Sequence, residues 1–142
     1  MNELKELEIT KRSGNEKFQY GSNNLDFNLL SFWQWSSSDV VSNYTRGILA
    51  EYIVGKALRC IKDDDVRDEG RAYDLDTQAG VRIEVKSAAY VQSWKQSRLS
   101  KISFNVPKTL GWDRETNKFD TEKNVKQMYM CLLFYSTKIK RQ

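Results

Sequence analysis

Two short segments place carboxylates and a lysine at spacings that suit hydrolytic chemistry: Tyr73-Asp74-Leu75-Asp76 and Ile83-Glu84-Val85-Lys86. Between them, Gln78-Ala79-Gly80 reads as a three-residue hairpin loop, with Gly80 at the position that favours positive φ. Thr77 then faces Val81, which sets Asp74 opposite Glu84 and Asp76 opposite Arg82, and opposed residues share a face. Glu84 and Lys86 are two apart on one strand and share that face as well, while Leu75, Ile83 and Val85 turn to the other side. A one-residue slip would send Asp74 to the opposite face. Asp76 stands as a substitute candidate if the hairpin register is offset.

Two carboxylates about 5 Å apart repel one another, and a bound cation keeps both ionised. All-oxygen ligands favour Mg²⁺ or Mn²⁺, which polarise a phosphodiester oxygen and lower the pKa of a bound water. Lys86 beside such a metal can orient or deprotonate that water, or stabilise charge building on the phosphate. The competing reading is a solvated ladder of alternating charges, in which Glu84 and Lys86 are ordinary strand neighbours.

These residues need a scaffold. After Ser36-Ser37-Ser38-Asp39, residues 40–59 are expected to form a long helix capped by that cluster. On a helical wheel Val40, Tyr44, Gly47, Ile48, Val54, Gly55 and Leu58 fall within about 60° of Glu51, placing a carboxylate in the middle of the apolar stripe. Such a residue either pairs with a buried cation or is delivered to a site on the sheet that the helix covers. Strands are expected at 72–77, 81–87 and 101–106, the last stopped by Pro107, and Met128–Ser136 reads as a strand buried on both faces. Residues 61–71 form a charged loop, and 108–126 are loop with some helix. Residues 1–24 are expected to be a loose arm, and the apolar stretch Leu25–Trp35 to dock on the core of a single domain whose core spans 38–136.

Composition narrows the function classes. The chain has 142 residues and no histidine, which removes Ser-His-Asp and Cys-His triads and nearly every zinc site. Cys60 and Cys131 lie in apolar surroundings far apart in sequence and read as small core residues. The longest uncharged apolar run, Met128–Tyr135, is far short of the ~20 residues that cross a bilayer, and MNELKELEITKR carries no apolar signal segment. No membrane association and a cytoplasmic location are expected. A net charge of +4 is compatible with a phosphate-rich partner.

A helix with an inward Glu, then a strand with Asp, then a strand with E-x-K resembles the PD-(D/E)xK nuclease superfamily, over residues 38–106 and into the strand at 128–136. The resemblance implies a restriction-endonuclease-like α/β fold, a central mixed sheet flanked by helices, and a Mg²⁺-dependent DNA endonuclease. It implies metal ligation by Asp74, Glu84 and the Val85 carbonyl, water activation by Lys86, and a place for Glu51 in the metal's outer shell. Tyr73 stands where the family pattern has proline. Asn43–Glu51 and Glu84–Trp94 are also similar to stretches of uncharacterised bacterial proteins. Members of the superfamily usually continue beyond the last strand, so the missing cover is expected from the N-terminal segment, from a second copy in a homodimer, or from a fuller natural protein.

Downstream of Lys86, residues 87–101 interleave Tyr90 and Trp94 with Lys95, Arg98 and Lys101, a pattern that lets rings stack on bases and cations meet phosphates. The rival is Trp94 packed in the core. Lys138, Lys140 and Arg141 read as a solvated terminus. Two other functions fit the same pattern: a non-catalytic nucleic-acid-binding subunit, and an interaction module using Leu25–Trp35 as its interface.

Overall fold

The computed structural model describes residues 7–69, 71, 73–105, 108, 110–113, 116–119, 121 and 129–135, with backbone alone for 113 and 129–135. The chain divides into two compact units, residues 1–38 with 63–67, and residues 39–62 with 68–142.

In the first unit the carboxylate of Glu16 accepts from the Ser13 N–H (3.0 Å), the Gly14 N–H (2.8 Å) and the Ser13 hydroxyl (3.1 Å). The Ser13 N–H leads in holding its pKa down to about 2. Strand β1 (Lys17–Tyr20) follows and pairs antiparallel with β2 (Asn23–Asn28) around Gly21, whose φ is +60°. Asn28 then caps helix α1 (Leu29–Ser37) through a reciprocal capping box with Ser31. Part of the expected loose arm is therefore a hairpin strand. The apolar stretch Leu25–Trp35 is split between β2 and α1, and no residue of α1 is buried.

The second unit holds helix α2 (Asn43–Ala57). It begins three residues later than the sequence pattern indicates because Asp39 folds its carboxylate onto the N–H groups of Val41 and Ser42, both at 3.1 Å. Ser42 is then the residue that caps the helix, accepting from the Thr45 N–H. Leu58 closes the last turn, and Arg59, at φ +56°, reverses the chain so that the Cys60 N–H donates to the Gly55 carbonyl at 2.8 Å.

Strand β3 (Leu75–Asp76) and strand β4 (Arg82–Ala89) pair antiparallel with Leu75 opposite Ile83 and Asp76 opposite Arg82, the register read from the sequence. Thr77 N–H donates to the Val81 carbonyl, and Gly80 has φ +74°. The sequence pattern places a strand at 101–106 beside this hairpin. Residues 101–105 are not a strand, and the other edge of β4 is taken instead by β7 (Tyr129–Tyr135), parallel to β4 with Ile83 opposite Tyr129 and Ala89 opposite Tyr135. The physical reason is length and apolarity: seven consecutive apolar residues can match the full edge of β4, which the polar KISFNV segment cannot. Strands β5 (Trp112–Asp113) and β6 (Lys118–Phe119) form a small antiparallel pair where loop and helix were expected. The C-terminal cations Lys138, Lys140 and Arg141 and the side chain of Cys131 lie outside the described residues.

Ala50 and Val54 of α2 pack on Leu75, Ile83 and Val85, with Cys60, Ile61 and Val81 at the margin. Cys60 is a free thiol, pushed above its ordinary pKa by burial. Gly55 lets the helix approach closely: a Cβ there would meet Ile61 Cγ1 at 2.6 Å and Leu75 Cδ2 at 3.1 Å. The buried face of α2 is Arg46, Ala50, Val54 and Gly55, whereas Tyr44 and Leu58 are 69% and 50% exposed. The apolar stripe centred on Glu51 is thus corrected by a rotation of about 70°. Close packing selects the face with small side chains and leaves Glu51 half-buried at its edge. No described helix is long and apolar enough to cross a membrane.

Candidate active site

Asp74 lies one residue before β3, so the alternation of the strand does not hold its side chain. Its N–H continues the ladder, donating to the Ile83 carbonyl at 3.0 Å, while its Oδ2 turns along the sheet edge to accept from the Val85 N–H at 2.6 Å. N–H and C=O of one strand residue point to the same edge, so the Val85 carbonyl lies on this side of β4 also. Across the hairpin, Glu84 is 19% exposed and Lys86 33%, and the Lys86 ammonium donates to Glu84 Oε1. The half-buried Asp74 carboxyl is raised above its ordinary pKa, mainly by burial. The Val85 N–H opposes this, the charges of Glu84 and Glu51 add to it, and Lys86 opposes it again. Four sequence candidates from α2, the hairpin and β4 therefore act on one carboxylate.

α2 covers the Leu75, Ile83 and Val85 face, and the link from Glu51 to this cluster is the effect of its charge on Asp74. Among the described residues no three Asp, Glu, Cys or His side chains converge at metal-ligand spacing. A cation here would rest on Asp74, Glu84 and the Val85 carbonyl, with Glu51 acting through charge. Mg²⁺ accepts such a set, since it commonly uses one or two carboxylates and keeps its waters. Asp76 takes a different part: its Oδ2 accepts from the Tyr73 hydroxyl at 3.2 Å and lies 3.8 Å from Arg71 Nη2.

A raised carboxyl pKa means that Asp74 favours the fold while protonated and costs stability once ionised. That cost appears as pH rises through the folded-state value and is absent below the ordinary aspartate range, about pH 3.9. Asp74→Asn can still accept from the Val85 N–H. In metal-free buffer its melting temperature is expected to equal or exceed that of the wild type at pH 7 and to converge with it at acid pH. A lower melting temperature at pH 7 would show that the cluster does not strain the free protein.

Trp94, Lys95, Arg98 and Lys101 line one cavity of about 670 Å³, and Trp94 is 57% exposed, so it is no core residue. Tyr90 is exposed and holds the loop through its carbonyl, which accepts from the Ser100 N–H at 2.9 Å. Sequence reasoning missed what anchors this loop to α2. Arg46, 7% exposed, donates to Gln92 Oε1 (3.4 Å), to Asn43 Oδ1 (2.7 Å) and to the Val41 carbonyl (2.6 Å). Gln92 in turn donates to the Ala89 carbonyl and the Ser100 hydroxyl, which also accepts from Gln96. Nearby, the Ser93 hydroxyl leads in holding Asp39 below the usual carboxylate range. The four-residue spacing of Gln92, Gln96 and Ser100 was a visible signal, but a loop conformation gives it its meaning.

Among families of known proteins, the model of bacteriophage T4 endonuclease IV matches residues 1–128. No curated protein and no solved structure matches the chain significantly.

Proposed function

The chain belongs to the bacteriophage T4 endonuclease IV family, and from that premise we propose that it is a Mg²⁺- or Mn²⁺-dependent DNA endonuclease with a site of the PD-(D/E)xK kind on a restriction-endonuclease-like sheet. The observation that carries this reading is the half-buried Asp74 carboxylate, turned onto the Val85 N–H and raised in pKa mainly by burial, with the charges of Glu84 and Glu51 adding to it. An acidic pair strained in this way is relieved by a divalent cation. Bound by Asp74, Glu84 and the Val85 carbonyl, the metal would supply a polarised phosphodiester oxygen and a water of lowered pKa.

The residues of the chain do the rest. The Val85 N–H fixes one oxygen of Asp74 and so fixes the direction of the other. Lys86 shares the face of Glu84 and donates to it in the free protein; in the proposed reaction its ammonium would donate to the attacking water or to the oxygens on which charge develops. Trp94, Lys95, Arg98 and Lys101, together with Tyr90 at the start of the loop, would hold DNA after the end of β4. Plasmid cleavage in Mg²⁺, in Mn²⁺ and in excess EDTA tests the reading. Cleavage in both metals and none in EDTA is expected, whereas equal cleavage in EDTA would exclude the metal-dependent mechanism.

A further inference from the structure

Before the catalytic pair on β4 stands a second group of charges that this site does not use. The guanidinium carbons of Arg71 and Arg82 lie 4.8 and 5.0 Å from the centre of the Tyr73 ring. Arg71 Nη2 also donates to the Tyr73 hydroxyl at 3.0 Å. One carboxylate serves the cluster, Asp76, and it is committed through Oδ2 to Tyr73 and Arg71. Its Oδ1 is buried and has no hydrogen-bond partner among the described residues. Arg82 is exposed, and among the described residues its guanidinium has no ion-pair partner. The cluster therefore carries one cation more than its carboxylate offsets. That cation is a planar fork kept against an aromatic ring, with its N–H donors lying in the plane and free for a bidentate acceptor.

Its place on the strand gives the surplus charge a use. Arg82, Glu84 and Lys86 alternate along one face of β4, so Arg82 stands about 6.7 Å from Glu84 along the strand. That equals roughly two rises of one strand of B-DNA. The loop bearing Lys95, Arg98 and Lys101 begins after the opposite end of β4, which leaves the acidic site flanked along the strand by cations on both sides.

We propose that Arg82, held over the Tyr73 ring that Arg71 also contacts, binds a backbone phosphate of the DNA one or two nucleotides from the phosphate presented to Asp74, Glu84 and Lys86. The proposal rests on the endonuclease reading for its ligand, but its test does not depend on cleavage. Binding of an end-labelled DNA duplex by the full chain is measured in EDTA over a range of KCl, for wild type, Arg82→Gln and Arg82→Lys, with the melting temperature of each. Arg82→Gln is expected to bind about tenfold more weakly at moderate salt and to flatten the slope of log affinity against log salt by about one. Arg82→Lys keeps the charge and should keep the slope, while losing part of the affinity with the planar fork. All three should melt alike. Arg82→Gln binding with wild-type affinity and slope would overturn the subsite, as would a lowered melting temperature with unchanged binding, which would assign Arg82 to the buried Asp76. If Glu84→Ala cleaves like wild type while Arg82→Gln flattens the slope, the catalytic assignment fails and the phosphate subsite stands.

Discussion

Glu84→Ala is expected to lower plasmid cleavage in Mg²⁺ by about 10³-fold or more, a loss of some 4 kcal/mol of transition-state stabilisation. On the proposed reading a metal here would rest on Glu84 and Asp74, and losing Glu84 would leave Mg²⁺ to position water and phosphate on a single carboxylate. The free protein should not suffer. Glu84 is one of the charges that raise the Asp74 pKa, so its removal relieves repulsion while releasing Lys86 from a partly exposed ion pair. Calorimetric titration with Mn²⁺ should show the metal affinity lost, and thermal unfolding should show the fold retained. Cleavage by Glu84→Ala within tenfold of the wild type would remove Glu84 from the site.

Lys86→Ala is expected to separate binding from catalysis. An ammonium that assists proton transfer or stabilises developing negative charge contributes some 10²–10⁴-fold in rate, so cleavage should fall by that amount. Metal affinity should move the other way or not at all. In the free protein the Lys86 ammonium occupies Glu84 Oε1, and a cation arriving at Glu84 must compete with it. Without that competitor Mn²⁺ should bind as well as in the wild type or more tightly, and DNA affinity should change little. A variant that cleaves at the wild-type rate would show that Lys86 is only the counter-ion of Glu84. One that loses metal binding along with cleavage would show that it builds the site and does no chemistry there.

The sequence by itself determined the hairpin and its register. Gly80 at the turn and the alternation of Leu75, Ile83 and Val85 against Asp74, Asp76, Glu84 and Lys86 are local signals, and a slip of one residue would have turned charges into the core. It also showed a helix, read as 40–59 and found at 43–57, from its helical period and its Ser/Asp caps, and a strand, read as 128–136 and found at 129–135, from a continuous apolar run too short for a buried helix. Three things were decided only by the tertiary structure. Which face of α2 is buried depends on how closely Ala50 and Gly55 let it approach Leu75 and Ile61, and a wheel that weighs residues by hydropathy alone cannot see that small side chains outrank Tyr44 and Leu58 in a tight interface. Which segment pairs with β4 depends on competition between distant parts of the chain, won by the apolar run at 129–135. Where the Asp74 carboxylate points depends on β3 ending one residue short of it. A side chain at the last rung of a ladder, outside the alternation of the strand, is free to turn, and the Val85 N–H, left without a strand partner on that edge, is what it turns to.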